Sequence, residues 1–209
     1  MELASSHIQQ VHPEHPNRLS VRNLATIGIF SILITVIAIV IAIAASPVLY
    51  FSLFVSSPLI AFITAPIYMF MVLKVHKRGT VFLYCFILAL IYLISGTPYL
   101  APWLLIAGFL GEFVMAGRGA YTNLFRISIS WIICTLFRAS NGMIDLWFFS
   151  KQYLASGVSR EHYDQVTRFY FSAPWVLLIL LIAAVGAIAG CWIGAKMLKK
   201  HFQKSGLLQ

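Results

Sequence analysis

Charge is what this chain has least of. Only 10% of its 209 residues are charged, six acidic against fifteen basic. A water-soluble domain carries about a quarter of its residues as charges, so the composition excludes that class. Cysteine is equally sparse. Cys85, Cys134 and Cys191 all lie in apolar stretches, where they read as small apolar side chains and not as a disulfide framework. Also missing are a Walker-type phosphate loop, a His-Glu-x-x-His zinc pair and a Gly-x-Ser-x-Gly nucleophile elbow. No apolar stretch holds two carboxylates that would serve as a paired acid and base. These gaps leave no visible enzyme, no metal set and no cofactor site. If the protein drives ATP-dependent transport, the ATPase must sit on another polypeptide.

What the chain does have is long apolar runs. Roughly 20 consecutive apolar residues span a bilayer as a helix, and six stretches approach that length. They are Leu24–Ala45, Ser57–Leu73, Gly79–Ser95, Pro102–Ala116, Leu124–Phe149 and Ala173–Met197. Backbone polar groups in hydrocarbon must be satisfied within the segment, so each run is expected to be a helix. The expected fold is an all-α, six-transmembrane-helix bundle. Residues 1–23 form a polar tail, 24–200 one membrane domain and 201–209 a second tail.

Basic residues fall on alternate breaks: Arg18 and Arg22 before the first run, Lys74, Lys77 and Arg78 after the second, Arg118 after the fourth, and Lys196, Lys199, Lys200 and Lys204 at the end. The first and third breaks carry no charge, and the fifth, with Lys151, Arg160, Glu161, Asp164 and Arg168, is mixed. The positive-inside rule then predicts both termini in the cytosol of a multi-pass cell-membrane protein. A net charge of +9 placed at helix ends suits anionic lipid headgroups, not nucleic acid. In the N-terminal tail, Pro13 and Pro16 break any helix that would align His7, His12 and His15 on a metal. That tail is expected to be disordered, and too polar for a cleaved signal peptide. Ser20 or Asn23 is the expected cap of the first helix.

Ionisable groups inside apolar runs are expensive and need a partner or a function. Arg138, Asn141 and Asp145 share one face of the fifth run, with Arg138 roughly 22 Å along the helix from Asn123. This stripe suits either a site for a small polar solute or a network pinning the helices. Glu112, roughly 9 Å from Arg118 along its helix, is expected to pair structurally with Arg118 or Arg126. Arg126 itself is near enough to the interface to snorkel. Gly186, Gly190 and Gly194 form a small-residue ladder, which fits tight packing within the bundle as well as contact with a partner. Tyr99 and Trp103 read as interface anchors or pocket walls. The 46–52 segment either extends the second helix or lies across the bundle mouth. Arg160–Tyr170 is expected to form a short surface helix.

Several stretches carry a family resemblance. Leu19–Phe30 resembles the start of the first helix in the Trep_Strep family of integral membrane proteins. Pro66–Val75 with Lys77, Gly108–Phe113 with Arg118, Arg160–Val166 and the closing Gly194–Gly206 are similar to later stretches of that family, in the same order. The family is counted among the S components of energy-coupling factor (ECF) importers. The resemblance implies a prokaryotic plasma-membrane protein that binds a vitamin-like solute and docks on a T component carrying two ATPases. It also implies toppling of the S component within the membrane to release the solute. Family members dock through an Ala-x-x-x-Ala pattern in the first helix. Its nearest equivalents here are Ala25, Gly28, Ile29, Ser31 and Ile32, while Ala38-x-x-x-Ala42 sits deeper. By analogy the solute pocket draws on Tyr50, Trp103, Arg138, Asn141, Asp145 and Trp175, a set suited to an anionic or flat solute such as a vitamin or a tetrapyrrole. A small autonomous secondary transporter and a non-transport scaffold are the alternatives. No internal repeat supports the first.

Overall fold

The computed structural model of the chain describes residues 19–117, 119–155 and 157–204, with side chains as far as Lys200. The histidines of the N-terminal tail, Arg18 and Arg118 lie outside the described residues. Within them the chain forms α1 (Val21–Ala45), α2 (Leu49–Val75), α3 (Thr80–Ile94), α4 (Ala101–Val114), α5 (Leu124–Ala139), α6 (Asn141–Phe148), α7 (Ser150–Ala155), α8 (Arg160–Tyr170) and α9 (Ala173–Lys204), with no strand. Four segments are long and apolar enough to cross a membrane: α1, α2, the α5–α6 pair and α9. Helix α3 and the Pro98–Val114 segment are apolar but shorter. Each of the six apolar runs is thus a helix, and four of them have spanning length.

The turns sort the molecule into two ends. At the basic end, His76 closes α2 in a left-handed conformation (φ 54°) and Gly79 (φ 88°) opens α3. The opposite end collects the 46–48 and 95–100 turns with α6, α7 and α8. Ser20 caps α1, its hydroxyl accepting from the Asn23 N–H at 3.3 Å. Asn123 caps α5 in the same manner, from Phe125 and Arg126.

Helix α9 packs on α2 through the glycine ladder. A Cβ at Gly186 would lie 2.5 Å from the Pro58 carbonyl oxygen, one at Gly190 2.5 Å from that of Phe62, and one at Gly194 3.1 Å from the Pro66 Cα. Pro58, Phe62 and Pro66 repeat every fourth residue, as the glycines do, so the two backbones meet along a common seam. The ladder is therefore occupied within the chain. Helices α3 and α4 meet in the same way, with a Cβ at Gly111 falling 2.7 Å from Val81 Cγ1 and one at Gly108 2.9 Å from Cys85 Cβ. Between the seams lies a buried aromatic centre. The rings of Tyr68 and Trp131 are 4.6 Å apart, the Tyr68 hydroxyl is 3.0 Å from Ser130 Oγ, and the Trp131 indole donates to the Ala61 carbonyl at 3.1 Å.

Three expectations change. The second helix begins at Leu49, eight residues before the expected Ser57, through a π-helical turn at Ser52–Ser56. The fifth run is interrupted at Ser140. There the Trp103 indole donates to the Phe137 carbonyl and to Ser140 Oγ, both at 3.0 Å, while the Ser140 hydroxyl donates to the same carbonyl at 2.8 Å. Side chains competing for one ladder acceptor are a known cause of helix breaks. Finally, Glu112 does not pair with Arg126 among the described residues, and its other expected partner, Arg118, lies outside them. Its Oε1 accepts from the Gly79 N–H (2.6 Å) and the Tyr121 hydroxyl, and its Oε2 from Val81 (3.2 Å) and Phe82 (3.3 Å). A carboxylate on three first-turn N–H groups is an N-terminal cap supplied from a neighbouring helix. Arg126 instead donates to the Ala116 carbonyl at 2.7 Å.

Candidate functional site

At the end away from the basic turns, a cavity of about 410 Å³ opens between α1, α2, α3 and α5. It exists because its walls are small or hydroxylated. Ala38 and Ala42 line the α1 side with Thr35, Ser56 and Ser57 come from the start of α2, and Tyr92, Ser95 and Thr97 from the end of α3. Arg138 reaches in from α5 and is the one charged side chain among the lining residues. The Ala38-x-x-x-Ala42 pair thus makes room inside the protein.

Hydrogen-bond bookkeeping gives the cavity a sign. Thr35 and Ser95 use their hydroxyl protons on the Ser31 and Ile91 carbonyls, at 2.8 and 2.7 Å. Arg138, Ser57 and Tyr92 make no side-chain hydrogen bond among the described residues. A guanidinium brings five N–H donors and no acceptor, and each hydroxyl adds one more donor. The cavity therefore offers unused donors around a fixed positive charge. An anionic or acceptor-rich group is what it can bind, by charge-assisted hydrogen bonds. The alternative of a network pinning the helices finds no side-chain hydrogen bond from Arg138 among the described residues. One turn deeper, Ser31 Oγ and Thr135 Oγ1 are buried without partners.

The break at Ser140 gives Asn141 and Asp145 surroundings of their own. Asn141 is only 7% exposed, and both its amide oxygen and its amide nitrogen lack partners, as does Asp145 Oδ1. The Tyr99 hydroxyl lies near the Asp145 carboxylate, and the Tyr99 ring stacks on Phe149 at 4.3 Å. Tyr170 packs on the same helix, its hydroxyl 3.0 Å from where a Gly142 Cβ would stand. Burial first, then the nearby Asp145 charge, raises the Tyr153 hydroxyl pKa above its ordinary value; burial is also the main cause of the rise at Tyr170. Each buried polar atom left unpaired costs about 1–3 kcal/mol. Such groups in a folded protein point to a ligand or to water.

The remaining candidates lie elsewhere. Tyr50 packs edge-on against Phe169 at 5.8 Å, and Trp175 contacts Phe54 and Phe169 at 5.7 and 5.3 Å. These rings clamp α8 to α2 and α9. Trp103 is used at the Ser140 break. Neither Tyr50, Trp103 nor Trp175 lines the Arg138 cavity. Along α1, Ala25, Ile29 and Ile32 are exposed, and a Cβ at Gly28 would meet nothing within 4 Å. Ser31 is 0% exposed and faces inward, so it cannot belong to a docking surface. The hydroxyls of Thr35, Ser56, Ser57, Ser95 and Thr97 were missed from sequence. The adjacent Ser56-Ser57 beside Pro58 was the available signal.

Apolar helices of spanning length around a polar, cation-lined interior define an integral membrane protein with an internal polar site. The chain belongs to the Trep_Strep family: the profile described as "Hypothetical bacterial integral membrane protein (Trep_Strep)" matches residues 21–204. No curated protein and no solved structure matches it significantly.

Proposed function

We propose that the protein is the substrate-binding S component of an ECF importer, capturing a small vitamin-like solute outside the cell. The observation that carries this reading is the cavity of about 410 Å³ in which Arg138, Ser57 and Tyr92 present donors with no partner among the described residues. In this reading all six apolar helices cross the plasma membrane and both termini are cytosolic. The basic turns then face the cytosol, and the cavity faces outward, where a solute is captured. The protein is not itself catalytic; a T component and two ATPases supply the energy. The exposed α1 face of Ala25, Gly28, Ile29 and Ile32 fits a close helix contact with the T component, and Ser31 drops out of that set.

The scaffold alternative drew on the glycine ladder, which is used inside the chain on α2. Affinity purification from source membranes in mild detergent tests the proposal. Recovery of a T-type membrane protein with two ATPases supports it. Purification without them, together with uptake by the isolated protein in ATP-free vesicles, replaces it with an autonomous carrier.

A further inference from the structure

We propose that Asn141 and Asp145 form a second recognition subsite, beside the Arg138 cavity, for a planar nitrogen heterocycle presenting two N–H donors and one acceptor on one edge. The unpartnered atoms set this pattern. Asn141 Oδ1 and Asp145 Oδ1 accept, and Asn141 Nδ2 donates. At i and i+4 on α6 the two side chains stand on one face, about 6 Å apart along the axis. Both are desolvated in the manner of a site meant to be filled: the Asn141 residue is 7% exposed, and all three atoms are fully buried.

The surroundings fit a flat ring. Tyr99 is stacked on Phe149, and Tyr170 lies against Gly142. The outer face of such a stacked pair accepts a heterocycle by stacking. Helix α8, which carries Tyr170, is a polar helix whose only buried residue is Val166. It is held near its end by the Trp147 indole donating to the Tyr170 carbonyl at 2.9 Å.

The subsite deepens the solute-binding reading and names a solute class: an N–H-rich ring at Asp145, joined to an acceptor-rich or anionic part at Arg138. Seven residues of helix separate the two, about 10 Å along the axis. The test uses pterin, which carries the required edge, and lumazine, in which a carbonyl replaces the exocyclic amine, titrated into the full chain in detergent. Isothermal titration calorimetry reads occupancy. Saturable pterin binding, roughly tenfold or more tighter than lumazine, is expected for one charge-assisted hydrogen bond. Asp145→Asn should abolish that preference while leaving thermal unfolding unchanged. No binding of either probe (an ordered water only), equal binding, or a preference surviving Asp145→Asn would overturn the subsite. Affinity purification of Asp145→Asn separates the two proposals. Loss of pterin preference with T component and ATPases retained supports both, and absence of those partners removes the importer reading alone.

Discussion

The α2–α9 seam and the Arg138 end are made from the same helix, and they are opposites. Along the seam, glycines meet prolines and backbone carbonyls so closely that no side-chain carbon fits at Gly186 or Gly190. Immediately before Pro58, α2 passes through the Ser52–Ser56 π turn and lines a cavity with Ser56 and Ser57. One region satisfies every contact, and the other leaves an arginine, two hydroxyls and an amide unsatisfied. Stability does not require the second arrangement. In hydrocarbon each unpaired group is a cost, so the difference marks where the fold ends and where binding begins.

The sharpest way to break that contrast is to put a side chain into the seam. Gly190→Leu places carbon where the Phe62 backbone already stands, and we expect no folded protein by size-exclusion chromatography in detergent. Gly190→Ala should cost at least the roughly 1–3 kcal/mol typical of overpacking, read by thermal unfolding. Glu112→Ala, which strips α3 of three N–H acceptors at the basic end, is expected to destabilise by about 2–4 kcal/mol. Arg138→Ala should do the reverse of these. Unfolding should be unchanged, while solute affinity falls roughly tenfold to a hundredfold, the value of one or two hydrogen bonds to a charged group.

A smaller effect concerns pH. Burial, then the hydrogen bond to the Glu112 carboxylate, raises the Tyr121 hydroxyl pKa well above its usual 10.0. The folded state therefore favours the neutral phenol. The stability this contributes is full below pH about 10 and is lost as pH climbs above it. Tyr121→Phe should flatten that alkaline loss in unfolding measured from neutral pH upward. The smallest effect belongs to Gly28→Ala on exposed α1, where a Cβ meets nothing. Unfolding should move by no more than about 0.5 kcal/mol.

Much of the scaffold was legible in the sequence, because hydropathy and charge act along one helix at a time. The six apolar runs became helices, and Arg160–Tyr170 became the short polar helix α8. What stayed hidden depends on contacts between helices. Ser140-Asn141-Gly142 was the local trace of the break, but the Trp103 contact from α4 that makes it lies on another helix. Residues 46–52 looked like either loop or helix, since a π turn has no distinct composition. Arg138 could be singled out because a charge in an apolar run is conspicuous. Thr35, Ser57 and Tyr92 could not, because hydroxyls are common in membrane helices and only the packing of α1, α2 and α3 brings them together. Asn141 and Asp145 were chosen with Arg138 as one stripe, and the break at Ser140 turned that stripe into two adjacent environments.

The most direct test of the account is native mass spectrometry of the protein purified from its source membranes, wild type beside Arg138→Ala. The account predicts a small molecule retained by the wild type and lost from the variant, with unfolding temperatures alike. A wild type carrying nothing, or a variant carrying the same molecule to the same extent, would contradict it.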